Sequence, residues 1–169
     1  MLEKQWKTIN GEKVDDLVGL LRVILADTAK IVHIGTDSMQ VKRGTEYVTV
    51  VVVLTPGKGG RAFYVRERVP KIRSMRERLV REAWISTTLA MELTATPDVG
   101  VAAPIVGDLD NLLVHVDANP DERHMSSNFV QEMVGMVVGQ GFRVVFKPDS
   151  WCATHAADHV VRQCAAGMR

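Results

Sequence analysis

Residues Ile31–Gln40, Ile-Val-His-Ile-Gly-Thr-Asp-Ser-Met-Gln, open as an apolar run and close on a small residue, a hydroxyl and a carboxylate. The front half has the character of a buried strand. Side chains alternate along a strand, so His33, Gly35 and Asp37 share a face, and Asp37 falls at the rim where apolar sequence gives way to polar. An aspartate in that place is either a turn former that bonds its own backbone or a ligand for a hard divalent cation. The second reading requires further carboxylates, supplied at equivalent positions by separate segments.

The rest of the chain is ordered around that strand. Met1 to Gly11 reads as a short lead-in with Trp6 as its anchor. Val14, Leu17, Val18, Leu21, Ile24 and Leu25 recur at three and four, which predicts an amphipathic helix ending before Lys30 and covering a face or edge of the sheet. Lys42-Arg43-Gly44-Thr45 is a turn, and the β-branched run Tyr47–Leu54 is a second strand. Pro56-Gly57-Lys58-Gly59-Gly60 lacks the Lys-Ser/Thr pair opening a helix that a phosphate loop needs. It reads instead as a hairpin tip leading into a third strand, Arg61–Val69, so the opening is an antiparallel meander.

Ile72–Thr94 contains no glycine or proline and predicts a long helix stopped by Thr96-Pro97. One stripe of it, Met75, Leu79, Glu82, Ser86, Leu89, Ala90 and Leu93, is apolar or small except at Glu82. A carboxylate inside a core-facing stripe is costly unless something pairs with it. Val99–Asn111 is expected as a surface loop. Leu112–Asp117 is a fourth strand that repeats the design of the first, with His115 on the face of its terminal Asp117. Ser126 or Ser127 caps a helix running to Val138, Phe142–Phe146 is a fifth strand, and Asp149 is placed to cap a final helix carrying Asp158.

A chain of 169 residues is expected to form one domain, residues 1–169. Its 21 basic and 20 acidic residues leave a formal charge of +1, so no global field draws in a polyanion and any grip on one must be local. Lys42, Arg43, Lys58, Arg61, Arg66 and Arg68 in the hairpin region, and Lys71, Arg73, Arg76, Arg78 and Arg81 at the start of the long helix, are either such a local strip or a solvated face balanced by Glu67, Glu77 and Glu82. Cys152 and Cys164 form neither a disulfide framework nor a thiolate zinc site. Without a signal-like apolar core near Met1, and with Val48–Leu54 too short to span a bilayer, a cytoplasmic protein with no membrane partner is expected.

Acids thus fall at the ends of strands one and four (Asp37, Asp117), within the long helix (Glu82) and in the last helix (Asp158). That order resembles the ribonuclease H-like fold, whose last helix carries an Ala-Asp-x-Leu stretch similar to Ala157-Asp158-His159-Val160. Gly35-Thr36-Asp37-Ser38, His115-Val116-Asp117, Gly135-Met136-Val137 with Gly141-Phe142, Lys147-Pro148 and Ala157-Asp158 resemble signatures of the YkuK-like family of ribonuclease H-related proteins, from about Trp6 onward. The resemblance implies an α/β fold with a five-stranded mixed sheet, a three-strand meander plus two parallel strands, flanked by helices.

The resemblance also implies a nuclease that cuts RNA, DNA or a hybrid with two Mg²⁺ or Mn²⁺ ions. Asp37 would bridge both ions, Glu82 and Asp117 would hold the ion nearer the leaving oxygen, and Asp158, or alternatively Asp149, would complete the other sphere. A cation would also account for Glu82 on an inward stripe. His33 and His115 are core histidines or, for His115, an outer partner of the ligands, while His124 or His155 is placed to shuttle protons. The rival readings are a catalytically silent module that binds nucleic acid or protein, and a hydrolase of small nucleotide substrates.

Overall fold

Long β-branched runs pair along their whole length, and the meander is the centre of the sheet. The computed structural model describes residues 1–26, 30–95, 103–118, 127–147 and 149–152. In it β3 (Ile31–Val41) pairs antiparallel with β4 (Gly44–Thr55) from Ile31↔Leu54 to Val41↔Gly44. β4 pairs in turn with β5 (Gly59–Val69), from Thr45↔Val69 to Thr55↔Gly59. The β4–β5 tip needs backbone that side chains disfavour, and glycines supply it: Gly57 and Gly59 sit at φ 73° and 89°. On its other side β3 takes β6 (Leu112–Val116) in parallel, and β6 takes β7 (Arg143–Phe146) in parallel.

The sheet has seven strands, not five. Both additional strands come from the supposed lead-in. β1 (Trp6–Thr8) adds to the free edge of β5 through Lys7↔Tyr64 and Thr8↔Phe63, and β2 (Lys13–Val14) folds back on it through Trp6↔Val14, giving the order β2-β1-β5-β4-β3-β6-β7. Strands of three and two residues are too short to show alternation in sequence; an edge already present holds them. Trp6 is the expected anchor, fully buried. Val14 belongs to β2, so the first helix, α1, begins later, at Leu17 (Leu17–Leu25), where the Asp16 carboxylate accepts the Gly19 N–H at 2.8 Å.

The long helix α2 (Met75–Thr94) and α3 (Ser127–Gly139) share one face of the sheet with α1. There Leu21, Ile34, Val51, Leu89, Leu93, Val114 and Met133 interlock, each full burial stabilising by about 1.5–3 kcal/mol. Alternation sends Val48, Val50 and Val52 to the opposite face, which Trp151 and Cys152 cover. Part of the expected loop before β6 is ordered against the core, since Val106 is buried and its N–H donates to Leu93 C=O at 2.9 Å. The final helix expected from the sequence, with His155, Asp158 and Cys164, and the position of His124 lie outside the described residues. Among the described residues no helix is long and apolar enough to cross a membrane.

Candidate functional site

Three parallel strands position the site. β3 and β6 are in register from Val32↔Leu112 to Gly35↔His115, and β6 and β7 from Leu113↔Arg143 to Val116↔Phe146. Pairing with β6 ends at Gly35 while β3 runs on to Val41, so the carboxyl ends of the parallel strands, where ligands bind in open α/β sheets, lie just beyond. Continued by two residues, the register brings Asp37, Asp117 and Lys147 to one level, on the face that bears His33, His115 and Val145. The Lys147 N–H, donating to Ala118 C=O at 3.2 Å, carries the β6–β7 ladder that far.

Glu82 comes within electrostatic reach of that level from α2, on the other face of the sheet. Thr36 and Ser38 point toward that helix: Ser86 donates to Thr36 at 2.8 Å, and the Arg78 guanidinium donates to Ser38 at 3.3 Å. A seam of small hydroxyls lets the helix lie close to β3, and Glu82 is 4% exposed there with its carboxylate hydrogen-bonded by the Ser38 hydroxyl. Burial holds this carboxyl well above the usual carboxylate range, the charge of Asp37 raises it further, and Asp117 adds to the rise. The Ser38 hydrogen bond and Arg78 act in the opposite direction and do not cancel it.

Asp37 accepts its neighbour's N–H, from Ser38, at 2.8 Å, the local backbone bond expected of an aspartate in this setting. Asp117 faces a cation: Lys147 Nζ stands 2.6 Å from its Oδ1. Of the four acids expected together, the structure thus brings Asp37, Glu82 and Asp117 within electrostatic reach, and Asp158 is outside the described residues. Among the described residues no three His, Cys, Asp or Glu side chains gather tightly enough to ligate one ion as they stand. The donor chemistry nevertheless suits a hard divalent cation, because three separate segments supply carboxylates and the buried one feels the charge of the other two. Asp149 is exposed, and its main chain turns the polypeptide after β7, its N–H donating to Phe146 C=O at 3.0 Å and its C=O accepting the Trp151 N–H at 2.9 Å.

Behind the acids the two histidines meet. His33 Nδ1 and His115 Nε2 are 2.8 Å apart, and the Trp151 ring lies 4.9 Å from one imidazole and 5.4 Å from the other. Burial lowers His33 to about 4; burial, and then the charge of His33, lowers His115 to about 3. Both rings are neutral at physiological pH, one donating to the other. His115 stands across from Gly35, so no side chain separates it from His33.

Part of the basic strip is balanced. Arg66 and Arg68 pair with Glu46 at 3.7 and 3.4 Å, Arg76 with Glu132 at 2.5 Å, and Glu67 pairs with both Lys4 and Arg81. Lys71, Arg73 and Arg81 line an open cleft beside the start of α2. Reading the sequence missed the parts played by Ser38, Arg78 and Lys147. Lys147 had a visible signal, as the residue following a strand parallel to one that ends in Asp117.

The family model described as ribonuclease H-like matches residues 22–162. The Bacillus subtilis (strain 168) protein YkuK, described as uncharacterized, is 24% identical over 136 residues, spanning 78% of this chain and 79% of its own. The solved N-terminal RNase H domain of rv2228c from Mycobacterium tuberculosis, fused to maltose binding protein, is 14% identical, with a TM-score of 0.36 over 82% of this chain and 98% of that one.

Proposed function

The chain belongs to the ribonuclease H-like family, and from that premise we propose that it hydrolyses phosphodiester bonds in nucleic acid, using divalent ions held by Asp37, Glu82 and Asp117 with Asp158 as the fourth ligand. The observation that carries this reading is Glu82. It is a buried carboxyl on an otherwise apolar or small stripe, and two further carboxylates act on it. Such a group costs the fold free energy, and a divalent cation turns that cost into binding.

Bound Mg²⁺ or Mn²⁺ supplies an activated water and stabilises charge on the leaving oxygen. The chain's own groups do the positioning. Ser38 orients the Glu82 carboxyl, and Arg78 holds Ser38 while keeping a guanidinium beside the acids, suited to a phosphate oxygen. The His33–His115 hydrogen bond ties β3 to β6 on the face of Asp37 and Asp117, which sets the distance between the strands that carry them. Lys42 and Arg43 lie in the turn beyond Asp37, and Lys71 and Arg73 lie at the same end of the sheet, where the Ile72 N–H donates to Thr45 at 2.9 Å. These residues suit a salt-dependent, sequence-independent grip on a phosphate backbone.

The test is cleavage of end-labelled single-stranded RNA, single-stranded DNA, RNA/DNA hybrid and branched DNA with Mg²⁺, Mn²⁺ or EDTA, comparing the wild type with Asp37→Asn. Metal-dependent cleavage by the wild type, lost in the folded variant, is the expected result. Salt-dependent binding with no cleavage under any metal refutes hydrolysis and leaves a binding module. Metal-dependent release of phosphate or nucleoside from mononucleotides alone would move the activity to small substrates.

A further inference from the structure

Asp117 already has a cation, and the backbone delivers it. Phe146 is registered with Val116, and the bond from Lys147 N–H to Ala118 C=O fixes where the lysine leaves the sheet, level with the aspartate. The ammonium stands 2.6 Å from Oδ1, with Lys147 36% exposed at the mouth and Asp117 17% exposed behind it. An ion pair this open adds little to stability. Its larger effect is on the carboxylate, since a divalent ion taking Asp117 oxygens meets an ammonium already in contact with one of them, and two cations a few ångströms apart repel.

Resting on the reading of the acids as metal ligands, we propose that Lys147 is the resident counter-cation of Asp117, that a divalent ion displaces it on binding, and that the freed ammonium then binds a phosphate oxygen of the substrate. The lysine and the metal are alternatives at one carboxylate. Displacement moves a positive charge by about the length of a side chain, away from Asp117 at the carboxyl ends of β3 and β6.

The full chain is titrated with Mn²⁺ by calorimetry, with free Mn²⁺ followed by electron paramagnetic resonance, for the wild type, Lys147→Met, Lys147→Arg and Asp37→Asn, each checked for fold by circular dichroism. Lys147→Met should bind Mn²⁺ about three- to tenfold more tightly, because a competitor and a like charge are gone. Lys147→Arg, which keeps the charge, should not. At saturating Mn²⁺, Lys147→Met should hold a single-stranded DNA oligonucleotide several-fold more weakly than the wild type. Equal or weaker Mn²⁺ binding by Lys147→Met overturns the proposal and makes the lysine a support for Asp117; unchanged oligonucleotide affinity overturns its phosphate role. If the wild type and Lys147→Met both fail to bind Mn²⁺, the metal reading itself falls. If the wild type binds, Asp37→Asn does not, and Lys147→Met gains nothing, only the displacement falls.

Discussion

Replacing Glu82 with Gln should stabilise the metal-free protein. The carboxyl is 4% exposed, and burial with the charges of Asp37 and Asp117 raises its pKa above the unfolded value. A raised acid favours the folded state while it is protonated; that contribution is complete below the ordinary glutamate range and is lost as pH rises through the folded-state value. At pH 7.5 in EDTA the wild type therefore carries the penalty, and Gln, of similar shape and able to keep a hydrogen bond to Ser38, does not. Relieving an uncompensated buried charge is worth on the order of 2 kcal/mol. For a chain of this size each kcal/mol moves Tm by about 2–4 °C, so the variant should melt about 4–8 °C higher. At pH 4 the difference should shrink toward zero. Excess Mn²⁺ should reverse the ranking at pH 7.5, since a ligand at a hundred times its Kd adds about 2.7 kcal/mol and the variant has lost a ligand. Calorimetric melts of both proteins at pH 4 to 8, in EDTA and in Mn²⁺, test this. A Glu82→Gln protein less stable than the wild type in EDTA at pH 7.5 would refute the reasoning, because it would mean that Arg78 already compensates the Glu82 charge.

The histidine pair should give the opposite pH dependence. Folded-state values of about 4 for His33 and about 3 for His115 lie below the ordinary 6.5, so the stability they contribute is complete above pH 6.5 and is lost as pH falls toward those values; urea unfolding at pH 7.5 and 5 should show a loss that a His33→Phe/His115→Phe double variant lacks. Truncating Trp6 to Ala should cost about 3–5 kcal/mol and free the β1–β2 edge, seen as lower Tm with faster amide exchange across Trp6–Val14. Arg76→Ala, which breaks an ion pair whose side chains are 57% and 39% exposed, should change unfolding free energy by less than about 1 kcal/mol.

Wherever a pattern repeated over enough residues, the sequence was legible. β3, β4 and β5 each run eleven or twelve residues of mostly apolar or β-branched character, and their meander could be read directly. β1 and β2 could not, because two or three residues carry no period and the β5 edge alone makes them strands. Asp37 and Asp117 stood out as polar ends of apolar runs, and Glu82 as the break in a stripe; each is a contrast with its immediate neighbours. What escaped was everything that depends on register between strands far apart in sequence. His33 and His115 were each placed on the face of their aspartate, yet their hydrogen bond exists only because Gly35 and not Leu113's partner stands opposite His115. Lys147 could be read only as part of a Lys147-Pro148 resemblance, since its contact with Asp117 follows from setting β7 beside β6.

The same register makes the acids tolerable without an ion. Three carboxylates brought within electrostatic reach repel one another, and in this chain two of them are offset by different means: burial and its neighbours keep Glu82 protonated to higher pH than an ordinary glutamate, and Lys147 contacts Asp117. Both offsets are positive charge at the carboxylates, and both must leave if a divalent ion is to take those oxygens. Ion binding should therefore release protons as well as the lysine, with the proton count falling as pH rises past the Glu82 value. Removing Lys147 alters only the competing ammonium, whereas Glu82→Gln removes a ligand together with its proton. The first substitution should leave proton release on Mn²⁺ binding largely intact, and the second should abolish most of it. Mn²⁺ titrations repeated in buffers of different ionisation enthalpy separate the two, and equal proton release by wild type and Glu82→Gln would contradict this coupling.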